Sequence, residues 1–145
     1  MKAVGAPLGQ FLVGGEVIDL TGEVGAGNTT LTKGIAVGLG VDVDVQSPSF
    51  TISRVYDVNG GLRLAHYDFY RLQSAGIMHD ELSETLADND TVTIIEWSDI
   101  VKGILPVDHL SIHITSPEEQ LRHLDVTSHG EKSQKLLEKL HDSTA

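Results

Sequence analysis

The chain of 145 residues contains no cysteine and few basic residues. Disulfides, thiolate metal sites and cysteine nucleophiles are therefore excluded. Only 10 Lys and Arg stand against 21 Asp and Glu, which gives a formal net charge of −11 at pH 7. Because neutralising phosphates requires a basic face, this balance argues against a module that grips DNA, RNA or an anionic membrane by itself.

Long hydrophobic runs are also absent. No apolar stretch approaches the ~18–20 residues that span a bilayer, and the first ten residues lack the apolar core of a signal peptide. With 40% hydrophobic and 21% charged residues, the composition is typical of a globular protein. We therefore expect a cytoplasmic protein with a single domain over residues 1–145, its core at about 15–125 and a C-terminal amphipathic helix at 130–145.

The apolar pattern predicts alternating strands and helices, starting after a Gly14-Gly15 turn. A β-branched run at 16–21 predicts a buried strand, a glycine-rich loop follows, and an apolar stripe of Leu31, Ile35 and Leu39 predicts a helix that Gly40 ends. The remaining pattern predicts strands at 52–58, 62–67, 91–95, 110–114 and 121–127, a hairpin turn at 59–61, a turn at 116–120, and helices at 80–87 and 131–141.

The loop between the first strand and the first helix reads Gly22-Glu23-Val24-Gly25-Ala26-Gly27-Asn28-Thr29-Thr30. This is the spacing of a Walker A loop, G-x-x-x-x-G-K-[ST], except at one position. Glycines let such a loop curl so that backbone N–H groups point at phosphate oxygens, and the following helix adds its N-terminal partial positive charge. The hydroxyl of Thr29 would reach Mg²⁺. The alternative is a turn that merely joins a strand to a helix.

Asn28 occupies the position of the Walker A lysine. Asn is neutral and too short to reach the β- and γ-phosphates as Lys does. We therefore expect weaker triphosphate binding and, more strongly, weaker stabilisation of the transition state. Lys33 cannot simply replace the missing lysine. It lies five residues after Asn28, which places it about 140° round a helix of ~3.6 residues per turn.

Four further residues are candidates for chemistry. Glu96 ends the most strand-like run, as the Mg²⁺-binding acidic residue of a Walker B strand does, although a solvated strand-end carboxylate is the alternative. Asp68 could position a water or contact a metal, and its alternative is a turn residue. Thr51 could sense the γ-phosphate or cap a turn, and Trp97, the only Trp, could lie in the core or face a partner. The seven His are scattered, so a zinc site is not expected.

Together these residues resemble the TsaE (YjeE) family, small bacterial P-loop ATPases needed for the threonylcarbamoyladenosine modification of tRNA. The resemblance runs from about Gly15 to about Leu124. The family's G-D-L-G-A-G-K-T-T corresponds to residues 22–30, S-P-T-F-T to 47–51, H-x-D-x-Y-R-L to 66–72 and I-E-W to 95–97. Four motifs in this order are far more specific than a glycine loop alone.

The resemblance implies an α/β P-loop NTPase fold, with a mostly parallel central sheet, added antiparallel strands and helices on both faces. It implies ATP or ADP with Mg²⁺ as ligands, TsaD and TsaB proteins as partners, and only indirect contact with tRNA. By matching positions, Thr29 and Glu96 would bind Mg²⁺, while Asp68, Glu96 and Thr51 would serve hydrolysis. The nucleotide would be bound by Trp97 and by Glu23, Val24, Gly25, Ala26, Gly27, Asn28, Thr29 and Thr30.

Three functions remain open at this point. The first is an accessory ATPase that acts beside TsaD in the modification of adenosine 37 of tRNA. The second, motivated by Asn28, is a variant that binds nucleotide but does not hydrolyse it. The third is a small-molecule kinase, against which stands the lack of an Arg-rich stretch between the glycine loop and Glu96. The family usually has a longer N-terminal lead, so we also expect an adenine-side contact to be missing.

Overall fold

The structure is a computed structural model that describes residues 2–22, 28–41, 53–58, 60–69, 79–96, 101, 103–118 and 121–144. The strands and helices that the sequence predicts on these residues are present. In chain order the elements are α1 (Lys2–Gln10), β1 (Val17–Gly22), α2 (Asn28–Leu39), β2 (Ser53–Asp57), β3 (Arg63–Asp68), α3 (His79–Ala87), β4 (Thr91–Glu96), β5 (Leu110–Glu118), β6 (Leu121–Ser128) and α4 (Glu131–Thr144).

The strands form a six-stranded sheet in the order β2-β3-β4-β1-β5-β6. The four central strands run parallel, and each outer strand is antiparallel to its neighbour. At one edge, the β2–β3 hairpin turns through Gly60 and Gly61, which both have positive φ angles, as the predicted turn requires. The expected α/β class, mostly parallel with added antiparallel strands, is confirmed.

Two apolar clusters cover opposite faces of the sheet, because successive side chains of a strand point to opposite sides. The first cluster packs α1, α2 and α4 against side chains such as Ile18 and Leu20 of β1. The second cluster packs Leu82 of α3 against Val17 and Tyr67. Helices therefore lie on both faces, as predicted. None of the helices in the described part of the chain is long and apolar enough to cross a membrane.

The sequence pattern does not predict α1, which contains two glycines and Pro7 and so has low intrinsic helix propensity. The helix lies in backbone contact with α2. A Cβ atom on Gly9 would lie 2.1 Å from the carbonyl oxygen of Ile35, and one on Gly38 would lie 1.9 Å from that of Ala6. Because these glycines have no side chain, α1 can pack closely on α2. This packing stabilises α1 more than its intrinsic helix propensity does.

The predicted turn at 116–120 is wrong in its extent. β5 continues to Glu118, and β6 begins at Leu121. The pairing register shifts between Thr115 and Glu118, a stretch that includes Pro117. Because proline has no N–H to donate to a β-ladder, it is tolerated in a strand where the pairing is irregular. The chain thus accommodates the proline by a local irregularity and not by turning.

α4 is anchored at the end of the sheet where β1 and β5 begin. The carboxylate of Asp108 accepts hydrogen bonds from the backbone N–H groups of Lys132 (2.8 Å) and Ser133 (3.0 Å). The Nζ of Lys132 donates to the carbonyl oxygen of Gly14 at 2.8 Å. These contacts fix the start of α4 at the end of the sheet opposite to Gly22.

Candidate functional site

The candidate site lies at the C-terminal ends of the parallel strands β1, β3, β4 and β5. The register pairs Glu96 of β4 with Leu20 of β1 on one side and with Asp68 of β3 on the other. The chain leaves β1 at Gly22 and enters α2 at Asn28. In open α/β sheets, ligands bind outside the carboxyl ends of the strands, so the two predicted acidic residues and Gly22, where the predicted loop starts, lie where a ligand is expected.

Gly22, the first glycine of the predicted loop, meets two constraints. Its φ angle is 146°, a conformation that residues with side chains rarely adopt. A Cβ atom here would also lie 2.4 Å from the carbonyl oxygen of Ile114 on β5. Glycine is therefore needed at the point where the chain leaves the sheet. Residues 23–27, predicted to hold phosphate, lie outside the described residues.

The first turn of α2 is formed by Asn28, Thr29 and Thr30. Thr30 is exposed, and the side chains of Asn28 and Thr29 lie outside the part of the chain that the structure describes. The first four N–H groups of a helix have no partner within it, and the helix dipole adds a partial positive charge at this end. The start of α2 therefore supplies an environment that suits an anion.

Glu96 is buried, with 4% of its surface exposed, so it is not the solvated strand-end carboxylate of the alternative interpretation. Its Oε2 lies 2.5 Å from Nε2 of His66, which is fully buried. Nδ1 of His66 has no hydrogen-bond partner among the described residues. A proton on Nδ1 would be an unsatisfied buried donor, so the ring proton belongs on Nε2, which donates to Glu96.

Asp68 is the last residue of β3 and is half-buried. The N–H of Phe69 donates to the carbonyl oxygen of Glu96 at 3.0 Å, so strand pairing continues beyond Asp68, and the turn interpretation is wrong. His66, Asp68 and Glu96 share one face of the sheet, because alternate residues of a strand point to the same side. That face is the one covered by α2.

Tyr67 lies between His66 and Asp68 in the sequence but faces the other side of the sheet. Its hydroxyl group lies 2.9 Å from Oγ1 of Thr85 on α3. Burial raises the pKa of Tyr67 above its ordinary value, so the phenol stays neutral at physiological pH. Tyr67 therefore ties α3 to β3 and takes no part in the cluster around Glu96.

Two predicted site residues, Thr51 and Trp97, lie outside the described residues. His66 is a position of the third motif, but the sequence pattern indicates no role for it. The available signal was its place two residues before Asp68 in a strand, which puts both side chains on one face. Within the described residues, no group of three or more acidic or His side chains could hold a metal ion. Mg²⁺ commonly takes only one or two carboxylates together with waters and substrate phosphates.

Comparison with known proteins agrees with the motifs. The family model for the threonylcarbamoyl adenosine biosynthesis protein TsaE matches residues 1–124, a span that includes α1. A protein of Streptomyces coelicolor, described as tRNA threonylcarbamoyladenosine biosynthesis protein TsaE, is 36% identical over 137 residues, which are 91% of this chain and 93% of the relative. A protein of Bacillus subtilis with the same description is 36% identical over 148 residues, 98% of this chain and 89% of the relative.

The fold is also similar to a solved structure. The crystal structure of YdiB from Bacillus subtilis superimposes with a TM-score of 0.77 and 30% sequence identity, and the match covers 99% of this chain and 88% of YdiB. The shared architecture is the P-loop fold that the glycine loop predicts. The four motifs, the family match and the fold lead to one conclusion: this chain belongs to the TsaE family of tRNA threonylcarbamoyladenosine biosynthesis proteins.

Proposed function

We propose that this chain is an accessory protein that binds ATP with Mg²⁺ and supports formation of the threonylcarbamoyl group on tRNA. The observation that carries the proposal is the convergence of four features at the C-terminal ends of the parallel strands. These are Gly22, the start of α2, and the acidic residues Asp68 and Glu96. A phosphate chain needs N–H donors and positive charge, whereas its Mg²⁺ needs oxygen ligands. This end of the sheet offers the N–H groups of α2 for the first and carboxylates for the second.

The residues present fit a magnesium nucleotide. Glu96 bonds to His66 through Oε2, and its other carboxylate oxygen, Oε1, would be the ligand. Mg²⁺, when bound, would neutralise charge on the β- and γ-phosphates. Glu96 and the hydroxyl of Thr29 would hold the ion, and backbone N–H groups at residues 23–30 would hold the phosphates. Asp68 and Thr51 would orient the attacking water, and Trp97 would lie near the nucleotide.

Asn28 favours a second candidate, a protein that binds nucleotide but hydrolyses it poorly. Backbone N–H groups can seat phosphates without a cationic side chain, whereas the transition state of phosphoryl transfer depends on added positive charge. In this second candidate, the nucleotide would control docking to partners, and turnover would be slow.

Calorimetry and ATP hydrolysis measured on the parent chain, Asn28→Lys and Lys33→Met separate these candidates. We expect the parent to bind Mg-ATP, and Asn28→Lys to raise the hydrolysis rate by at least about 10-fold through charge on the transferred phosphate. Lys33→Met is the matched control, since it changes a Lys of α2 that lies on another side of the helix, and it should leave both values unchanged. Robust hydrolysis by the parent would contradict the second candidate. The absence of nucleotide binding by the parent would overturn both.

The proposed partners are TsaD and TsaB proteins, which the chain would meet in the cytoplasm, with tRNA contacted only through them. Sedimentation of the purified chain with TsaD and TsaB, with and without Mg-ATP, tests this step. We expect a complex that forms more readily with the nucleotide. Transfer of phosphate to nucleosides or sugars by the isolated chain would instead favour a kinase.

A further inference from the structure

His66 is a buried polar side chain in an apolar layer of the sheet. It lies on β3 on the same face as the fully buried Leu64, and its partner in the register on β4 is the fully buried Ile94. Burying an imidazole among aliphatic side chains costs free energy unless hydrogen bonds compensate for the lost water. Only one of its two ring nitrogens has a partner among the described residues. An aliphatic residue would pack here at lower cost, so the bond to Glu96 explains the position better than packing does.

The geometry of this bond restricts the carboxylate of Glu96. β3 is paired with β2 on one side and β4 on the other, so the backbone that carries His66 is held on both sides. A Glu side chain has three rotatable bonds, and a hydrogen bond of 2.5 Å to a buried ring restricts how far they can turn. The bond uses Oε2 and leaves Oε1 outside it.

We propose that His66 is a positioning residue: its Nε2–H holds Oε2 of Glu96 so that Oε1 is presented to the divalent cation of a bound magnesium nucleotide. This inference rests on the function proposed above, in which Glu96 is a Mg²⁺ ligand. His66 does not touch the metal or the nucleotide. Loss of a partner that orients a ligating side chain typically weakens metal affinity by about 10- to 100-fold, and that is the effect expected here.

The first test needs neither nucleotide nor metal. Two-bond ¹H–¹⁵N NMR spectra of the ¹⁵N-labelled full chain report which nitrogen of each imidazole carries the proton. The signal that disappears in His66→Gln should show a protonated Nε2 and an unprotonated Nδ1, and Glu96→Gln should shift it. An Nε2 without a proton, or a spectrum of His66 that does not respond to Glu96→Gln, would overturn the inference.

The second test measures the binding of ADP in the presence of Mn²⁺ and, separately, in EDTA. His66→Leu should weaken the metal-dependent part of the affinity by about 10- to 100-fold and leave the affinity in EDTA unchanged. His66→Gln keeps an N–H donor and should restore most of the loss. Ile94→Val is the matched control, because it perturbs the same layer next to His66 without touching the hydrogen bond, and it should resemble the parent.

The outcomes separate the two proposals. A parent chain that binds no Mn-ADP overturns the proposed function. A parent chain that binds Mn-ADP while His66→Leu behaves like Ile94→Val overturns the positioning role alone. An equal loss of affinity with metal and in EDTA also overturns it, because a general loss of packing, and not the orientation of Glu96, would then explain the effect.

Discussion

At the scale of single residues, the site depends on contacts between strands: Gly22 of β1 closely approaches Ile114 of β5, and Glu96 of β4 bonds to His66 of β3. The glycine spacing alone identifies position 22, but its close approach to Ile114 becomes visible only when β1 and β5 are paired. The strand-end position of Glu96 was likewise predicted. Its bond to His66 was not, because that contact joins residues 30 apart and depends on how β3 and β4 align. Local patterns predict which residue types are needed, whereas the contacts between strands depend on register.

The substitution Gly22→Ala tests the double constraint at the exit of β1. We expect it to lower the free energy of unfolding by about 1–3 kcal/mol, because the methyl group would meet the carbonyl of Ile114 and the backbone would be strained. Gly60→Ala is the control: Gly60 also has a positive φ, but a Cβ there would have no heavy atom within 4 Å. Urea unfolding followed by circular dichroism measures both. Equal losses would show that the contact with Ile114 contributes nothing.

At the scale of elements, the strands were predictable and α1 was not. A run such as Thr91–Glu96, buried at every position, has a strong local signal. α1 has no such signal, since its glycines and Pro7 argue against a helix, and only the surface of α2 makes them favourable. The error at 116–120 has a related cause, because the irregular pairing that accommodates Pro117 belongs to two strands together. Elements that depend on a neighbour were the ones missed.

The contact between α1 and α2 can be tested with Gly38→Ala. The added methyl group would lie within van der Waals overlap of the carbonyl oxygen of Ala6, so α1 must move away. We expect a loss of about 1–3 kcal/mol in the free energy of unfolding, typical of overpacking. Gly103→Ala, where nothing lies within 4 Å, should have little effect. Thermal unfolding compares the two variants, and similar melting temperatures would contradict the close contact.

The anchoring of α4 should depend on pH through Asp108. Burial acts to raise the pKa of Asp108, but hydrogen bonds from Ser133 and Lys132 outweigh it and hold the pKa below the ordinary value of 3.8. A pKa that is lower in the folded state means that the stabilisation is present above about pH 4 and is lost as the pH falls through the folded value.

Asp108→Asn removes the charge and one of the two accepting oxygens. We expect the variant to be less stable than the parent by about 1 kcal/mol at pH 7, the usual net contribution of one hydrogen bond. The difference should shrink as the pH falls below about 4, where the parent carboxylate also becomes protonated. Urea unfolding at pH 7 and at about pH 3 measures it. A difference that is the same at both pH values would contradict the role of the ionised carboxylate.

At the scale of the whole molecule, the net charge indicates which partners the chain can contact directly. The formal net charge of −11 repels polyanions, and the protein belongs to a tRNA-modification family. The two facts agree if other proteins contact the tRNA.

The parallel core was predictable from the order of strands and helices, whereas the placement of antiparallel strands at both sheet edges required the structure.

The isolated chain is therefore expected not to bind tRNA at physiological salt, and lowering the salt should not produce binding, because no counterions would be released. Fluorescence anisotropy of labelled tRNA, titrated with this chain alone, measures this. A basic protein that binds tRNA serves as the positive control. Salt-dependent binding by the chain alone would contradict indirect contact and would require a basic surface.

The way α4 closes the first apolar cluster has a consequence for anyone who shortens the chain. The family match stops at residue 124, inside β6, yet Leu136 and Leu140 of α4 belong to the same cluster as Leu8 and Ile18. A polypeptide truncated there would lose half of an outer strand and uncover aliphatic surface beside β5. The end of the family match is thus not the boundary of cooperative unfolding, and such a fragment should aggregate.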